Sequence, residues 1–207
     1  MKYTDIELKK IINNHILWLQ DPTKGEKALF KGYDLKEADF KNCNLQGADF
    51  SEANLENADL RNCNFQNANF SGANLENANL AWSTLKLSNL EDANLINANL
   101  ENSNLEGANL TNADLIYSDL RESNLEGANF TNANLRYSDL RESNLDRSCL
   151  KFADLRNCDL RNSNLEEADL RNCNLQDADL KDSNLEGANF KGANLINTNF
   201  DGTILTK

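Results

Sequence analysis

The chain has 207 residues, with 33 acidic against 21 basic side chains, a single histidine and a net charge of -12. With no basic patch or basic helix, that balance argues against direct binding to nucleic acid or to an anionic membrane and leaves another protein as the expected partner, a basic one being open by charge. No run of 18 or more apolar residues and no signal-peptide order occur, so the expected setting is the cytoplasm, and the five cysteines read as free thiols.

Residues 1–27 do not repeat. Thr4 followed by Glu7 makes a capping box, and Leu8, Ile12, Ile16 and Leu19 then recur at helical spacing. This predicts an amphipathic helix, stopped by Asp21, Pro22 and Gly25. His15 lies within it, and with no second histidine neither metal ligation nor base catalysis is expected there.

From Phe30 to Leu205 every fifth residue is Leu or Phe, which makes 36 units in the stretch 28–207. A step of five turns a helical residue by about 140°, and on a flat strand an odd step flips it to the opposite face. Neither element would bury these side chains on one side. The chain must instead turn a corner every five residues.

The run from Ser103 to Glu142 says how many corners close a coil. SNLEGANLTNADLIYSDLRE is followed by SNLEGANFTNANLRYSDLRE, which differs only at Leu110/Phe130, Asp114/Asn134 and Ile116/Arg136. The second period is therefore twenty, or four sides of five, and 36 units give nine coils. At the strand spacing nine coils span about 43 Å. A solenoid leaves its end layer bare, so the N-terminal helix is expected to cap it.

Two residues before the Leu or Phe stands a small residue at nearly every unit, Tyr33 being a departure in the first coil, and both face inward. Two residues after it, 24 of the 36 residues are Gly, Asn or Asp, the types that best accept positive φ, which marks the corner. Units such as ADFKN, ANLEN and ADLRN resemble the pentapeptide repeat proteins. The resemblance implies an all-β solenoid, a right-handed quadrilateral β-helix. It also implies one of two roles: a non-enzymatic interaction or structural scaffold, or, as in some members, a DNA-mimicking modulator of DNA gyrase.

Sorting residues by twenty separates the faces. One interior column runs Cys43, Cys63, Ser83, Ser103, Ser123, Ser143, Ser163, Ser183 and Thr203, and another carries Phe30, Phe50 and Phe70. Outside, Arg121, Arg141, Arg161 and Lys181 stand two residues beyond Asp119, Asp139, Asp159 and Asp179. Glu106, Glu126, Asp146, Glu166 and Glu186 form an acidic column on the adjoining face and are the candidate DNA-mimic surface. Ile96, Ile116, Tyr117 and Tyr137, with Trp82 and Leu87 at other corners, are the candidate interaction patch.

No nucleophile with its base, metal-ligand spacing or phosphate loop occurs, so no catalytic, cofactor or metal site is expected. The basic column argues against mimicry, as does the lack of a loop or a final helix of the kind that the quinolone-resistance members carry. Phe190, Leu195, Phe200, Ile204 and Leu205 form the last apolar layer, and a homodimer through that end is the expectation.

Overall fold

The structure is a computed structural model and describes residues 4–204. It begins with helix α1, Asp5–Gln20. Its capping box is closed in both directions: Thr4 Oγ1 accepts the Glu7 N–H at 3.3 Å, and the Glu7 carboxylate accepts the Thr4 N–H at 2.9 Å. Leu8 and Ile12 are buried against the first coil, but the third member of that face is His15 rather than Ile16, which stays 36 % exposed. At 100° per residue the step from Leu8 to His15 returns almost to the same side, whereas the step to Ile16 overshoots by about 80°. Gly25 brings the chain back against the helix, where any side chain would meet the backbone of Asn14 and Trp18.

From Leu29 onward the chain is a right-handed quadrilateral β-helix. Parallel bridges join each residue before a central Leu or Phe to its equivalent twenty residues later, from Leu29 with Asp49 to Asn184 with Ile204. Around each central residue the ladder is the same: Leu55 N–H donates to the Asn74 carbonyl at 2.7 Å and Asn57 N–H to that of Glu76 at 2.9 Å. Ala58 N–H then closes a turn onto the Leu55 carbonyl at 3.0 Å. The third residue of that turn has positive φ, as a type II turn requires. Every such position from 32 to 202 obeys this, with φ between 54° and 78°.

The interior is two kinds of column. The central residues are buried in all but the last coil, and Phe30, Phe50 and Phe70 stack face to face at 4.8 and 4.9 Å, with Phe40 and Phe65 edge-on between them. The buried serines at 83, 103, 123, 143, 163 and 183 each donate to the carbonyl three residues back at 2.5–2.6 Å. Their hydroxyls are thus spent on backbone, as buried polar groups generally are. All five cysteines are free; burial pushes the thiols of Cys63, Cys158 and Cys173 up to about 12, which leaves them protonated and unreactive.

A second ladder, of side chains, runs up the outside. On three faces the residue before the central Leu or Phe is usually Asn. Its Oδ1 accepts the N–H two residues on, and its Nδ2 donates to the Asn or Asp one coil earlier. Asn124, Asn144, Asn164 and Asn184 form one such run, with Nδ2 to Oδ1 distances of 3.0–3.4 Å. The last apolar layer is less covered than those before it: Phe190 and Phe200 are only partly buried and Ile204 is 55 % exposed, while Leu205 lies outside the described residues.

Candidate functional site

The fourth face replaces the carboxamide ladder with ions. Asp119, Asp139 and Asp159 grip Arg121, Arg141 and Arg161 of their own coil, each at 2.6 Å. The same guanidiniums reach the aspartate of the following coil at 3.8, 3.5 and 3.7 Å. Lys181 donates its backbone N–H to Asp179 at 3.0 Å. Burial acts to raise the carboxyls of Asp119 and Asp159, but the guanidinium hydrogen bonds outweigh it and hold both below the usual range. Asp59, bonded by Arg61, is lowered to about 2.

The acidic column on the adjoining face is not a bare row of charges. Glu106 meets Lys86 at 2.8 Å and Asp146 meets Arg147 at 3.2 Å. Glu166 accepts from Asn184 at 3.4 Å, whereas Glu126 and Glu186 make no ion pair among the described residues. Two of the five charges in the column, Glu106 and Asp146, are thus offset by a base.

The six apolar candidates divide. Tyr117 and Tyr137 stand on one corner in successive coils, their rings stacked at 5.1 Å and 19°. Ile96 and Ile116 are half-buried in the column beside them. Trp82 and Leu87 do not join that edge: they sit on the next two corners of the coil and are exposed separately, Leu87 lying across Gly107 of the coil above. The reason is the five-residue period itself, which carries the chain a quarter turn between residue 77, at the foot of the tyrosine corner, and Trp82.

The backbone at this corner is what makes the tyrosines unusual. Both are left-handed, with φ of 59° and 61°, and remain 58 % and 49 % exposed. Non-glycine residues in that region are uncommon, and bulky ones more so.

One residue of this edge was not foreseen. Arg136 stands directly over Ile116, next to Tyr137, with its Nε donating to Asn134 Oδ1 at 3.1 Å. Among the described residues its one carboxylate contact is 3.9 Å, to Asp154. The signal lay in the two near-identical copies, which differ at Asp114/Asn134 and Ile116/Arg136 and so exchange both members of an outward pair.

The sequence profile named Pentapeptide repeats matches overlapping stretches that together run from residue 26 to residue 206. The chain belongs to the pentapeptide repeat family. Among solved structures, HetL from the cyanobacterium Nostoc sp. strain PCC 7120, a pentapeptide repeat protein involved in heterocyst differentiation regulation, is 30% identical. It superposes with a TM-score of 0.55 over 90% of this chain and 94% of its own. QnrB1, a plasmid-mediated fluoroquinolone resistance protein, shares the fold at 16% identity, with a TM-score of 0.59 over 87% of this chain and 92% of its own. No curated protein matches the chain. No described helix is long and apolar enough to cross a membrane.

Proposed function

We propose that this pentapeptide repeat protein is a non-enzymatic scaffold of the cytoplasm that binds a partner protein along the edge formed by Ile96, Ile116, Tyr117 and Tyr137. The observation that carries the reading is the stacked, exposed tyrosine pair on a left-handed corner. Left-handed backbone disfavours a bulky L-residue by about 1 kcal/mol or more relative to glycine, with asparagine tolerated between them. Folding alone favours asparagine there, as at Asn97 and Asn157 on the same corner. Tyrosine and arginine, which stand side by side here, are also the residue types enriched at interface centres.

The test is the double variant Tyr117→Asn, Tyr137→Asn. Its urea midpoint should equal or exceed that of the parent, while partner recovery from extract of the source cells should fall to background. A variant that recovers the same partner as the parent would sink the reading.

Gyrase mimicry fits less well, because Lys86 and Arg147 interrupt the acidic column and the arginine column borders it. Purified protein is expected neither to inhibit gyrase supercoiling nor to protect it from quinolones. Dose-dependent inhibition, lost on changing Glu126, Asp146 and Glu166 to Gln, would move the site to the acidic column. The same proposal pairs two copies through the thinly covered layer of Phe190, Leu195, Phe200 and Ile204. A monomer in sedimentation at micromolar concentration would remove that pairing.

A further inference from the structure

Of the eight arginines, seven have a carboxylate within 3 Å: Arg61, Arg121, Arg141, Arg156, Arg161 and Arg171 hold the Asp two residues before them, and Arg147 holds Glu167. Arg136 is the exception. The residue two before it is Asn134, and its nearest carboxylate, Asp154 at 3.9 Å, is already gripped by Arg156 at 2.6 Å. One carboxylate therefore serves two guanidiniums. Among the described residues the Nη1 and Nη2 donors of Arg136 have no hydrogen-bond acceptor, and its side chain is 36% exposed.

The free fork sits at a chosen place. In the first copy of the twenty-residue repeat the outward pair is Asp114 with Ile116, a carboxylate with no basic side chain two residues on; in the second it is Asn134 with Arg136, a guanidinium that meets an amide oxygen at 3.1 Å where the arginines of the other such pairs meet a carboxylate. The arginine thereby stands at the head of the Ile96 and Ile116 column and adjoins the stacked rings. An unpaired planar fork beside an apolar, aromatic surface matches a carboxylate bidentately while a neighbouring side chain packs on the rings.

We propose that Arg136 anchors a carboxylate of the bound partner, so that the occupant of the tyrosine edge is an acidic protein segment with an aromatic or aliphatic side chain beside an Asp or Glu. This rests on the edge being the binding surface, as argued above. Phosphate would fit the same fork, but a nucleic acid would bring a polyanion against a molecule of net charge -12. A short protein segment with one or two acids meets a local guanidinium without that cost.

The experiment uses the full chain and capped hexapeptides Gly-Trp-Glu-Leu-Glu-Gly, with counterparts carrying Gln, Lys or phosphoserine for Glu. Binding is read from arginine Nε–Hε and tyrosine ring signals in NMR titrations at low salt. The Glu peptide should shift the Arg136 and Tyr137 signals at millimolar concentration, and the Gln and Lys peptides should bind about tenfold more weakly. Arg136→Gln should bring the Glu peptide down to the Gln level. Asn134→Asp, which supplies the in-coil carboxylate that Arg156 has in Asp154, should do the same without removing any side chain of the edge.

A Lys or phosphoserine peptide binding as well as the Glu peptide, no shift with any peptide, or Arg136→Gln leaving the Glu affinity within about twofold each overturns the proposal. If Tyr117→Asn, Tyr137→Asn abolishes all binding while Arg136→Gln changes nothing, the edge stands and the carboxylate anchor falls. If the tyrosine variant changes nothing either, both fall.

Discussion

The asparagine faces and the arginine face meet one geometric demand in two ways. Each coil must offer an acceptor to the N–H just past its central residue, and on all four sides the side chain before that residue provides it. Asparagine also carries a donor, so Asn144 both accepts from Asn164 and gives to Asn124, and the ladder satisfies itself. Aspartate accepts only, so a column of Asp119, Asp139 and Asp159 would be a stack of like charges without the arginines threaded between them. The neutral ladder is indifferent to pH and salt; the ionic one is not. A face built from ions is therefore a face whose ladder a partner or a solvent can alter, whereas the asparagine ladders hold their coils together whatever side chains stand beside them.

The largest expected effect comes from breaking the neutral ladder. Asn144→Ala removes the bonds to the Asp146 N–H at 3.2 Å and to Asn124 at 3.3 Å, and strands Asn164 Nδ2, now at 3.0 Å. Three partly buried hydrogen bonds should cost about 2 kcal/mol, read as a lower urea midpoint. A change of less than half that would mean the ladder is ornamental.

Acid should separate the two kinds of face. The folded-state pKa of Asp59 is lowered to about 2, and those of Asp119 and Asp159 are lowered, so their stabilisation is present above about pH 4, the ordinary carboxyl value. It is lost as pH falls through the folded values, and amide exchange should accelerate on the arginine face before the asparagine faces.

The cap titrates earlier. His15 is fully buried, its Nδ1 accepting the Ala28 N–H at 3.0 Å and its ring stacked on Trp18. Nε2 makes no hydrogen bond, although the Gln46 carbonyl lies where it favours the proton. Burial lowers the pKa, Gln46 opposes this and Lys27 adds to the decrease. A base depressed in the folded state destabilises the fold as pH drops below its unfolded value, about 6.5. Exchange at the Ala28 amide should therefore quicken below that pH, and His15→Asn, which keeps an acceptor without a titrating ring, should flatten the response.

Arg141→Met should cost less than about 1 kcal/mol, and the loss should vanish in molar salt, because the arginine side chain is 37 % exposed. Smallest of all is the corner. Phe152 is left-handed and 58 % exposed, away from the tyrosine edge. Phe152→Gly should leave the urea midpoint unchanged or raise it by a few tenths of a kcal/mol. A marked loss would show that bulky corner residues brace the fold.

The coil was legible because one rule, a Leu or Phe every fifth residue, has no exception, and because Ser103 to Glu142 states the longer period outright. The corners were legible from Gly, Asn and Asp two residues later. What the sequence did not yield was partnership. Asn before each core residue reads as a mere filler until coils are stacked and its two hydrogen bonds appear. Ile16 was placed on the helix face by a run of fours, and only the packed helix shows His15 there instead. Trp82 and Leu87 looked like companions of Tyr117 because all are apolar corner residues, yet a corner names a direction only once the coil is closed. Arg136 was visible as a difference between two copies, but a guanidinium without an aspartate means little until every other arginine is seen to have a carboxylate.

A coil of twenty residues with fixed columns also sets the unit in which such a chain can lengthen or shorten. Deleting 123–142 would remove one storey, about 4.8 Å of the rod, and leave every column above and below in register. Deleting five residues would keep the core sequence unbroken but rotate everything downstream by a quarter turn, setting arginines over asparagines and uncoupling both ladders at a single seam. A change of length that keeps both ladders is therefore counted in whole storeys, and the two near-identical copies from Ser103 to Glu142 are one storey written twice.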